Sequence, residues 1–332
     1  MARKDKNIYK KKFKWKVVLA FIVFEIVFTT VTIPFIIYHG PFKNVKKTLV
    51  GAAMSTLSHQ YLATMFLSDA EIKSILSEDV IDNIQQGVNI LKFTNKHDTN
   101  IEREDISEGG KFKGYMLIIH DPTRVKVGYS SKLGTEGEMT SQIASNNGAV
   151  AAVNGGGFVD KTGTTNWTGT GGIPTGLLMS GGKVISNDIT DLNSKNDVMA
   201  LTSDGSLLVG KHSLNELKKL GASEAISFGP ALIVDGKITI KSGDGGQGIA
   251  PRTAIGQRRD GTILLLVIDG RQTKSVGASL KDVQNIMVKY EAYNATNLDG
   301  GSSSTMYYDG DIVNNPCDPL GERSVASVVY VK

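Results

Sequence analysis

The pattern of hydrophobic and polar positions divides the chain into three parts, and the first is a membrane-length apolar segment. Val17 to Tyr38 is a run of 22 residues with one charged side chain, Glu25. As a helix it is long enough to cross about 30 Å of hydrocarbon. It is longer than the roughly 7 to 15 apolar residues of a cleaved signal peptide, and no A-x-A site follows it closely. We therefore predict an uncleaved transmembrane signal anchor at residues 17–38, with a cleaved signal peptide as the alternative.

The second part, residues 39–111, has the pattern of a helical stalk and a linker. Ile72, Ile75 and Leu76 follow helical spacing, and Ser68 with Glu71 forms a capping box before them. The stretch 96–111 is polar, contains five acidic residues and ends in a Gly-Gly pair, which is typical of a linker. We therefore expect a folded domain to begin at residue 112 and to continue to residue 332.

In the third part, short apolar runs alternate with glycine-containing turns, which is typical of strands. Asp-Gly pairs at 204, 235, 260 and 309 lie between apolar runs and predict type I′ hairpin turns. Helices are predicted at 139–146 and at 279–293, the second with Ser279 and Asp282 as its cap. The fold class is therefore α+β, a strand-dominated domain of mainly antiparallel hairpins with a few helices. The strongest predicted strands are Tyr115–His120, Ala149–Val153, Ala231–Val234, Thr262–Ile268 and Ala326–Val331.

The charge is concentrated in the N-terminal tail. Residues 1–16 contain eight basic residues and one acidic residue, whereas residues 39–332 contain 29 basic and 31 acidic residues. We therefore expect no nucleic-acid partner, because the excess of positive charge does not belong to the folded part. By the positive-inside rule the tail is cytoplasmic and the folded part extracytoplasmic, with membrane lipid as a partner of residues 17–38. Cys317 is the single cysteine, which excludes an internal disulfide and a cysteine-rich zinc cluster.

Several common catalytic motifs are absent from the sequence. It contains no phosphate-binding P-loop, dinucleotide-binding G-x-G-x-x-G after a strand, H-E-x-x-H, G-x-S-x-G or EF-hand motif. The five histidines are scattered, so a histidine relay or histidine metal site is not expected. These absences argue against nucleotide-driven chemistry, zinc proteolysis and the common serine hydrolases.

Polar clusters instead follow the strong strands. Asn154 is followed by three glycines, which let a ligand approach the backbone and can turn successive N–H groups toward an anion; a tight loop is the alternative. The other clusters combine carboxylates, guanidiniums and many hydroxyls, an inventory that suits an anionic, hydroxyl-rich ligand such as a sugar phosphate. The charged members are Asp269, Asp299, Glu322, Arg252, Arg271 and Arg323.

Five ordered motifs within residues 113–332 carry a family resemblance. They are N-G-G-G-F at 154–158, P-R-T-A-I-G at 251–256, V-I-D-G-R at 267–271, L-D-G-G-S-S-S-T-M at 298–306 and E-R-S-V-A at 322–326. Together they resemble the signature of the phosphodiester glycosidase family, whose bacterial members are described as exopolysaccharide-related. The resemblance implies hydrolysis of a sugar-1-phosphodiester, such as a diester of N-acetylglucosamine-1-phosphate, that releases the sugar and leaves the phosphate on its acceptor. The site residues that it implies are Asn154, Gly156, Arg252, Asp269, Arg271, Asp299, Gly300, Gly301, Ser302, Ser303, Glu322 and Arg323.

A physical interpretation assigns roles to the charged residues. A phosphomonoester leaves more easily than an alkoxide, so guanidiniums can replace much of the general acid of an ordinary glycosidase. We expect Arg252 and Arg323 to hold the phosphate, Asp299 to act as nucleophile or water-activating base, and Glu322 to be the second carboxylate. Asp269 is expected to orient Arg271 or the sugar hydroxyls.

Three questions stay open on the sequence alone. A non-catalytic envelope protein that binds phosphorylated glycan would use the same residues, and a phosphodiesterase would attack phosphorus instead of the sugar carbon. No cofactor is required, although calcium or magnesium could be held by Asp269 or Asp299, since both ions prefer oxygen ligands. The sugar, the acceptor and the oligomeric state cannot be deduced.

Overall fold

A computed structural model describes residues 14–54, 59–76, 81–87, 90–159 and 170–332. Most of the predicted basic tail, residues 1–13, therefore lies outside the described residues. The helices are α1 Trp15–His39, α2 Lys43–Met54, α3 Tyr61–Thr64, α4 Asp69–Leu76, α5 Thr140–Asn146, α6 Leu214–Lys219 and α7 Leu280–Lys289. The strands are β1 Ile101–Glu108, β2 Phe112–Ile119, β3 Val125–Tyr129, β4 Glu138–Met139, β5 Ala151–Asn154, β6 Phe158–Val159, β7 Ile173–Pro174, β8 Leu177–Ser180, β9 Lys183–Asn187, β10 Asn196–Thr202, β11 Leu207–His212, β12 Ala222–Ser227, β13 Ala231–Val234, β14 Lys237–Ile238, β15 Arg252–Arg258, β16 Ile263–Ile268, β17 Ala292–Leu298, β18 Met306–Tyr308, β19 Asp311–Ile312, β20 Ser324–Val325 and β21 Ser327–Val331.

Three antiparallel sheets form the body of the fold, so the α+β class is confirmed. One sheet has seven strands in the order β1-β2-β16-β15-β17-β13-β14. Two sheets of five strands have the orders β11-β10-β12-β8-β9 and β19-β18-β5-β21-β3. The largest buried cluster draws side chains from all three sheets, including Leu117, Val153 and Met199. Helix α7 covers the other face of the seven-stranded sheet, where Val283 and Met287 pack against Leu266.

The predicted elements of the domain are found with small shifts at their ends. Ala231–Val234 is a strand as predicted, and α7 begins directly after its N-cap Ser279, with Asp282 in the first turn completing the capping box. Asp235 and Asp309 have positive φ angles together with the glycines that follow them, as type I′ turns require. At Asp204-Gly205 and Asp260-Gly261 only the glycine has a positive φ, so these two hairpins use a different turn from the predicted one.

The expectation of a linker over residues 96–111 is wrong. Ile101–Glu108 is the edge strand β1, paired in antiparallel register with β2 along its whole length, and Gly109 and Gly110 form the hairpin turn at φ 55° and 74°. Its side chains are mostly exposed, so the strand lacks the apolar alternation by which strands are recognised. Charged side chains are common on edge strands because they discourage pairing with other chains.

The predicted helical stalk is partly confirmed and partly replaced by irregular chain. Helices α2, α3 and α4 pack with Tyr38 at the end of α1 around a small core that includes Val50 and Leu67; we refer to residues 43–54 and 59–76 as the helical cap. Further along, Gln86 joins the domain, because its side chain accepts from the Val209 amide at 2.8 Å and donates to the Leu207 carbonyl. The sheets therefore draw on residues before 112.

Among the described residues, one helix is long and apolar enough to cross a membrane. Helix α1 spans 25 residues, and none of its most apolar window is buried against the rest of the protein. The predicted helix at 17–38 is therefore present, whereas its insertion into a membrane remains a prediction.

Candidate active site

Antiparallel register brings three of the motifs to one edge of the seven-stranded sheet. Arg252 begins β15 and pairs with Ile268 at the end of β16. Its neighbour Thr253 pairs with Leu298 at the end of β17. The residues that follow β16 and β17 therefore lie beside the start of β15, although up to 47 positions separate them along the chain.

These strand ends open into a cavity of about 900 Å³. That is near the upper end of the roughly 300 to 1,000 Å³ of ligand pockets. The helical cap and the end of α1 form its opposite wall. Eight of the predicted site residues line the cavity, and the other four do not. The eight are Arg252, Arg271, Asp299, Gly300, Gly301, Ser302, Ser303 and Arg323.

Asp299 is the only carboxylate among the described residues that line the cavity. Its Oδ1 accepts from the Gly300 amide at 3.0 Å, and its own amide donates to the Gly155 carbonyl at 3.0 Å. A Cβ at Gly300 would lie 2.9 Å from the Pro251 carbonyl oxygen, and Gly301 has a φ of 64°. The two glycines therefore permit a close turn that leaves the Asp299 side chain half-buried at the cavity wall.

Asn154 does not line the cavity, but its side chain holds the backbone of Asp299, which does. Its side chain is fully buried and its Nδ2 donates to the Asp299 carbonyl at 2.6 Å. Its Oδ1 accepts from Thr253 Oγ1 at 2.7 Å and from the Thr305 amide at 3.2 Å. One amide thus ties together β5, β15 and the loop after β17, which makes Asn154 a positioning residue.

The glycines after Asn154 do not form the expected anion nest. The Gly155 amide donates to the Ser327 carbonyl at 2.9 Å, and the Gly156 amide donates to Ser327 Oγ at 3.1 Å. A Cβ at Gly155 would lie 2.7 Å from Ser327 Oγ. The tight-loop alternative is therefore correct for these two glycines, because they let the chain pass close to β21.

Arg323 and Arg271 reach the cavity from two different loops. Arg323 donates from Nη1 to Ser302 Oγ at 2.8 Å, and its guanidinium carbon lies 5.1 Å from the centre of the Phe158 ring. Arg271 has a φ of 59°, a sparsely populated conformation for a residue with a side chain. Its side chain is exposed, and Gly301 allows it to come close to the loop after Asp299. Such strained residues are enriched at functional sites.

Arg252 lines the cavity but is bound mainly by the protein, which corrects its expected role as a phosphate clamp. Nε donates to the Ala278 carbonyl at 3.0 Å, Nη1 to Gln247 Oε1 at 3.0 Å, and Nη2 to the carbonyls of Gln247 and Gly248 at 3.1 and 2.7 Å. A guanidinium has five N–H donors, so at most one is left for a ligand. Burial lowers the pKa of Arg252 to about 10, and the residue remains a buried cation at neutral pH.

Asp269 is turned away from the cavity, so the expectation that it orients Arg271 or sugar hydroxyls is wrong. Its Oδ1 accepts from Asn314 Nδ2 at 3.1 Å and from the Asn315 amide at 2.9 Å, and Tyr115 Oη lies 3.4 Å from Oδ2. Burial raises the pKa of Asp269, and the two donated bonds oppose that effect. Asn314 Nδ2 also donates to the Ser304 carbonyl at 3.0 Å. Asp269 therefore stabilises the segment that contains Ser304 through its bond to Asn314.

Glu322 does not line the cavity either, and its predicted role as second carboxylate is not supported. Its two carboxylate oxygens accept from the Ser141 amide at 3.0 Å and from Ser141 Oγ at 2.6 Å. Ser141 lies in the first turn of α5, where backbone N–H groups lack helical partners and favour an acidic neighbour. Glu322 therefore anchors the loop that carries Arg323.

Asn297 and His59 are among the polar cavity residues that the sequence interpretation missed. Asn297 is buried, and its Oδ1 has no hydrogen-bond partner among the described residues, while Nδ2 donates to the Gly229 carbonyl at 3.1 Å. Asn297 precedes Asp299 by two positions, and side chains two positions apart along a strand point to the same side. This alternation could have identified Asn297 from the sequence. His59 enters from the helical cap, outside the motifs.

The described residues do not fit a site for calcium or magnesium. No three His, Cys, Asp or Glu side chains among them converge on a common position. The Asp269 carboxylate is already occupied by N–H donors.

Comparison with known proteins finds relatives with a named activity. Curated relatives include N-acetylglucosamine-1-phosphodiester alpha-N-acetylglucosaminidase of Bos taurus and of Homo sapiens, each 37% identical over 89 residues, or 25% of this chain and 17% of theirs. An uncharacterized SPbeta prophage-derived protein of Bacillus subtilis is 38% identical over 81 residues, 24% of this chain and 12% of its own. The matches thus span less than a fifth of these relatives.

Solved structures extend the likeness over most of the chain. The zebrafish N-acetylglucosamine-1-phosphodiester alpha-N-acetylglucosaminidase catalytic domain, auto-inhibited by its pro-peptide, is 25% identical with a TM-score of 0.56, covering 73% of this chain and 86% of that one. An exported protein of Burkholderia pseudomallei, 18% identical with a TM-score of 0.51 over 66% of this chain and 74% of its own, shares the fold. The family model described as phosphodiester glycosidase matches residues 147–332, more than half of the chain. This protein belongs to the phosphodiester glycosidase family.

Proposed function

We propose that this protein is a hydrolase that cleaves a sugar-1-phosphodiester, with Asp299 as its catalytic carboxylate. The observation that carries the proposal is the convergence of Asp299, Arg271 and Arg323 on one cavity. Cationic groups beside a carboxylate suit a substrate whose leaving group is an anion. The family relationship and the named activity of the relatives support the same reaction.

In the proposed reaction, water replaces the phosphate at the anomeric carbon. The bond between C1 and the bridging oxygen breaks, and its electron pair leaves with the phosphate, which stays on its acceptor as a monoester. The oxygen of water forms the new bond to C1, and its surplus proton passes through Asp299 to solvent. Arg323 and Arg271 stabilise the charge that develops on the phosphate, so no second carboxylate is needed to protonate it.

Asp299 can act in two ways, and the configuration of the product distinguishes them. As a base it activates water directly and the anomeric configuration is inverted; as a nucleophile it first binds C1 and the configuration is retained. Time-resolved proton NMR of the released sugar separates the two. Hydrolysis in heavy-oxygen water gives labelled sugar if C1 is attacked, and labelled phosphate if phosphorus is attacked.

Asn297 is proposed to bind the sugar. The residue lines the cavity, and its Oδ1 is buried without a donor among the described residues. A buried acceptor without a partner costs about 1 to 3 kcal/mol. A sugar hydroxyl or an N-acetyl N–H would satisfy it, which supports a hydroxyl-rich or N-acetylated sugar as the substrate.

We further propose that residues 17–38 anchor the protein in the cell membrane, with the N-terminus cytoplasmic and the site extracytoplasmic. The exposed apolar surface of α1 and the basic residues before it support this placement. A cell-surface glycan or exopolysaccharide would then be within reach. Protease added to intact cells should remove the chain beyond about residue 40; protection of that region would reverse the orientation.

The decisive test is hydrolysis by the full-length Asp299→Asn variant, which keeps the shape of the side chain and removes its charge. We expect kcat on methyl N-acetylglucosamine-1-phosphate diester to fall roughly 10²- to 10⁴-fold, as for loss of a general base, with an unchanged melting temperature. Asp311→Asn is the matched control, since Asp311 is exposed on β19 and does not line the cavity. Near-normal turnover by the folded Asp299→Asn protein would refute the assignment. Binding without turnover by the unaltered protein would favour a glycan-binding role.

A further inference from the structure

The two walls of the cavity differ in charge. The wall from the sheets carries Asp299, the arginines and the serines, beside two aromatic residues, Phe158 and Phe228. The wall from the helical cap and the end of α1 is mainly apolar and includes Ile37, Leu49, Leu62 and Phe66. Leu49 and Leu62 keep 40% and 46% of their surface exposed, so part of this apolar area is open to an occupant. A free sugar phosphate would contact only the polar wall.

The apolar wall is continuous with the helix that is proposed to cross the membrane. Helix α1 has 25 residues and is therefore about 37 Å long, which exceeds the roughly 30 Å of hydrocarbon in a bilayer. The last turn of α1 would then lie in the headgroup layer. Ile37 and Tyr38 of that turn line the cavity, so its apolar side would open at the membrane surface.

Close packing holds the apolar wall in place. The Tyr38 and Phe66 rings stack with centroids 5.1 Å apart, which joins the cap to the end of α1. Helix α2 meets the sheet domain at Gly51, where a Cβ would lie 3.0 Å from the Gly246 oxygen and the Gly248 nitrogen. Gly248 is also the residue whose carbonyl binds Arg252. The helical cap is thus fitted to the same loop that borders the polar wall.

From this arrangement we infer that the substrate is a lipid-linked sugar-1-phosphodiester, in which the phosphate joins the sugar to a long-chain alcohol. The inference rests on the proposed function and names the aglycone of that reaction. The sugar and phosphate occupy the polar wall, and the first part of the chain lies along Leu49 and Leu62 while the remainder stays in the bilayer. Hydrolysis at C1 releases the sugar to the aqueous phase and leaves the lipid monophosphate in the membrane.

The test compares two water-soluble substrates that differ only in the aglycone, methyl and hexyl N-acetylglucosamine-1-phosphate diesters. Both are monomeric in solution, and any partition of the hexyl diester into the nanodisc is the same for every variant, so it cancels when the ratio is compared between variants. The full-length protein in lipid nanodiscs is expected to give at least tenfold higher kcat/KM for the hexyl diester.

Variants of the apolar wall connect that preference to the cavity. Leu49→Gln and Leu62→Gln are expected to lower the hexyl-to-methyl ratio of kcat/KM roughly fivefold to tenfold each. Met65→Gln is the matched control, because Met65 is 71% exposed in the same part of the cap and does not line the cavity. It is expected to leave the ratio unchanged.

Three results would overturn the inference. Equal kcat/KM for the methyl and hexyl diesters, both being hydrolysed, would show that the chain is not recognised while the proposed function stands. A ratio that Leu49→Gln and Leu62→Gln do not change would place the preference outside this wall. Faster hydrolysis of both diesters by the two variants would show that the helical cap obstructs the site. Absence of any hydrolysis would instead refute the proposed function itself.

Discussion

Replacing Arg252 with methionine tests whether this arginine holds the structure or the substrate. Its guanidinium makes four hydrogen bonds within the protein, to the carbonyls of Gln247, Gly248 and Ala278 and to the Gln247 side chain. Methionine keeps much of the side-chain volume and removes all four. If Arg252 is structural, the variant should be less stable than the unaltered protein. Its activity should then fall only because the loop at residues 247–248 becomes disordered.

The magnitude follows from two opposing contributions. Hydrogen bonds to a charged donor contribute about 1.5 kcal/mol each or more, so four bonds contribute about 6 kcal/mol. Burial lowers the pKa of Arg252 to about 10, which corresponds to a cost of about 3 kcal/mol for keeping the cation buried at neutral pH. The methionine variant loses the bonds and also that cost. The net destabilisation is therefore about 3 kcal/mol, or a fall in melting temperature of roughly 6 to 12 °C at about 2 to 4 °C per kcal/mol.

The assay is thermal unfolding followed by kinetics at a temperature where each protein is folded. Arg323→Met is the matched control, because Arg323 is half-buried, lies over Phe158 and binds Ser302 at the cavity. We expect it to shift the melting temperature by less than about 2 °C and to lower kcat/KM roughly 100-fold. If Arg252→Met instead melted normally and lost as much activity as Arg323→Met, the structural assignment would be wrong and Arg252 would be a phosphate ligand.

Two further predictions concern residues that the sequence alone placed differently or overlooked. Asn297→Ala removes a buried acceptor two positions before Asp299, so it should raise KM roughly tenfold while kcat changes little. Equal KM values for the variant and the unaltered protein would exclude contact between Asn297 and the sugar. Glu322→Gln should lower the free energy of unfolding by about 1 kcal/mol, because its hydrogen bonds to Ser141 at the start of α5 become weaker. Chemical unfolding measures that change, and steady-state kinetics should show a kcat within about threefold of the unaltered protein. A fall in kcat of more than 100-fold in a folded variant would restore Glu322 as a catalytic carboxylate.

Local signals in the sequence determined most of the elements. The continuous apolar run predicts α1, the capping box at Ser279 and Asp282 predicts the start of α7, and the apolar stretch TILLLVI predicts β16. Such features depend on neighbouring residues in the chain, and hydrophobic periodicity reports them directly. The order of the five motifs was also sufficient to indicate the family, because those residues recur as short contiguous strings.

Elements without a local signal appeared only in the structure. Strand β1 is polar and is held by backbone pairing with β2, so its side chains give no alternation to detect. Gln86 joins β11 through its amide side chain across more than 120 positions of sequence. Both depend on a partner that is distant in the chain, and pairing of that kind cannot be inferred from local propensity.

The composition of the candidate site was decided by tertiary structure. The motifs correctly indicated that polar residues gather at strand ends, but Asp269 binds Asn314 and Glu322 binds Ser141, away from the cavity. Which way a side chain turns after a strand depends on the path of the next loop and on the groups packed against it. The apolar wall is the clearest case, because Leu62 lies far from every motif and reaches the cavity only through the docking of the helical cap. The sequence by itself determined the family and the inventory of groups, whereas long-range packing determined which of them face the same space.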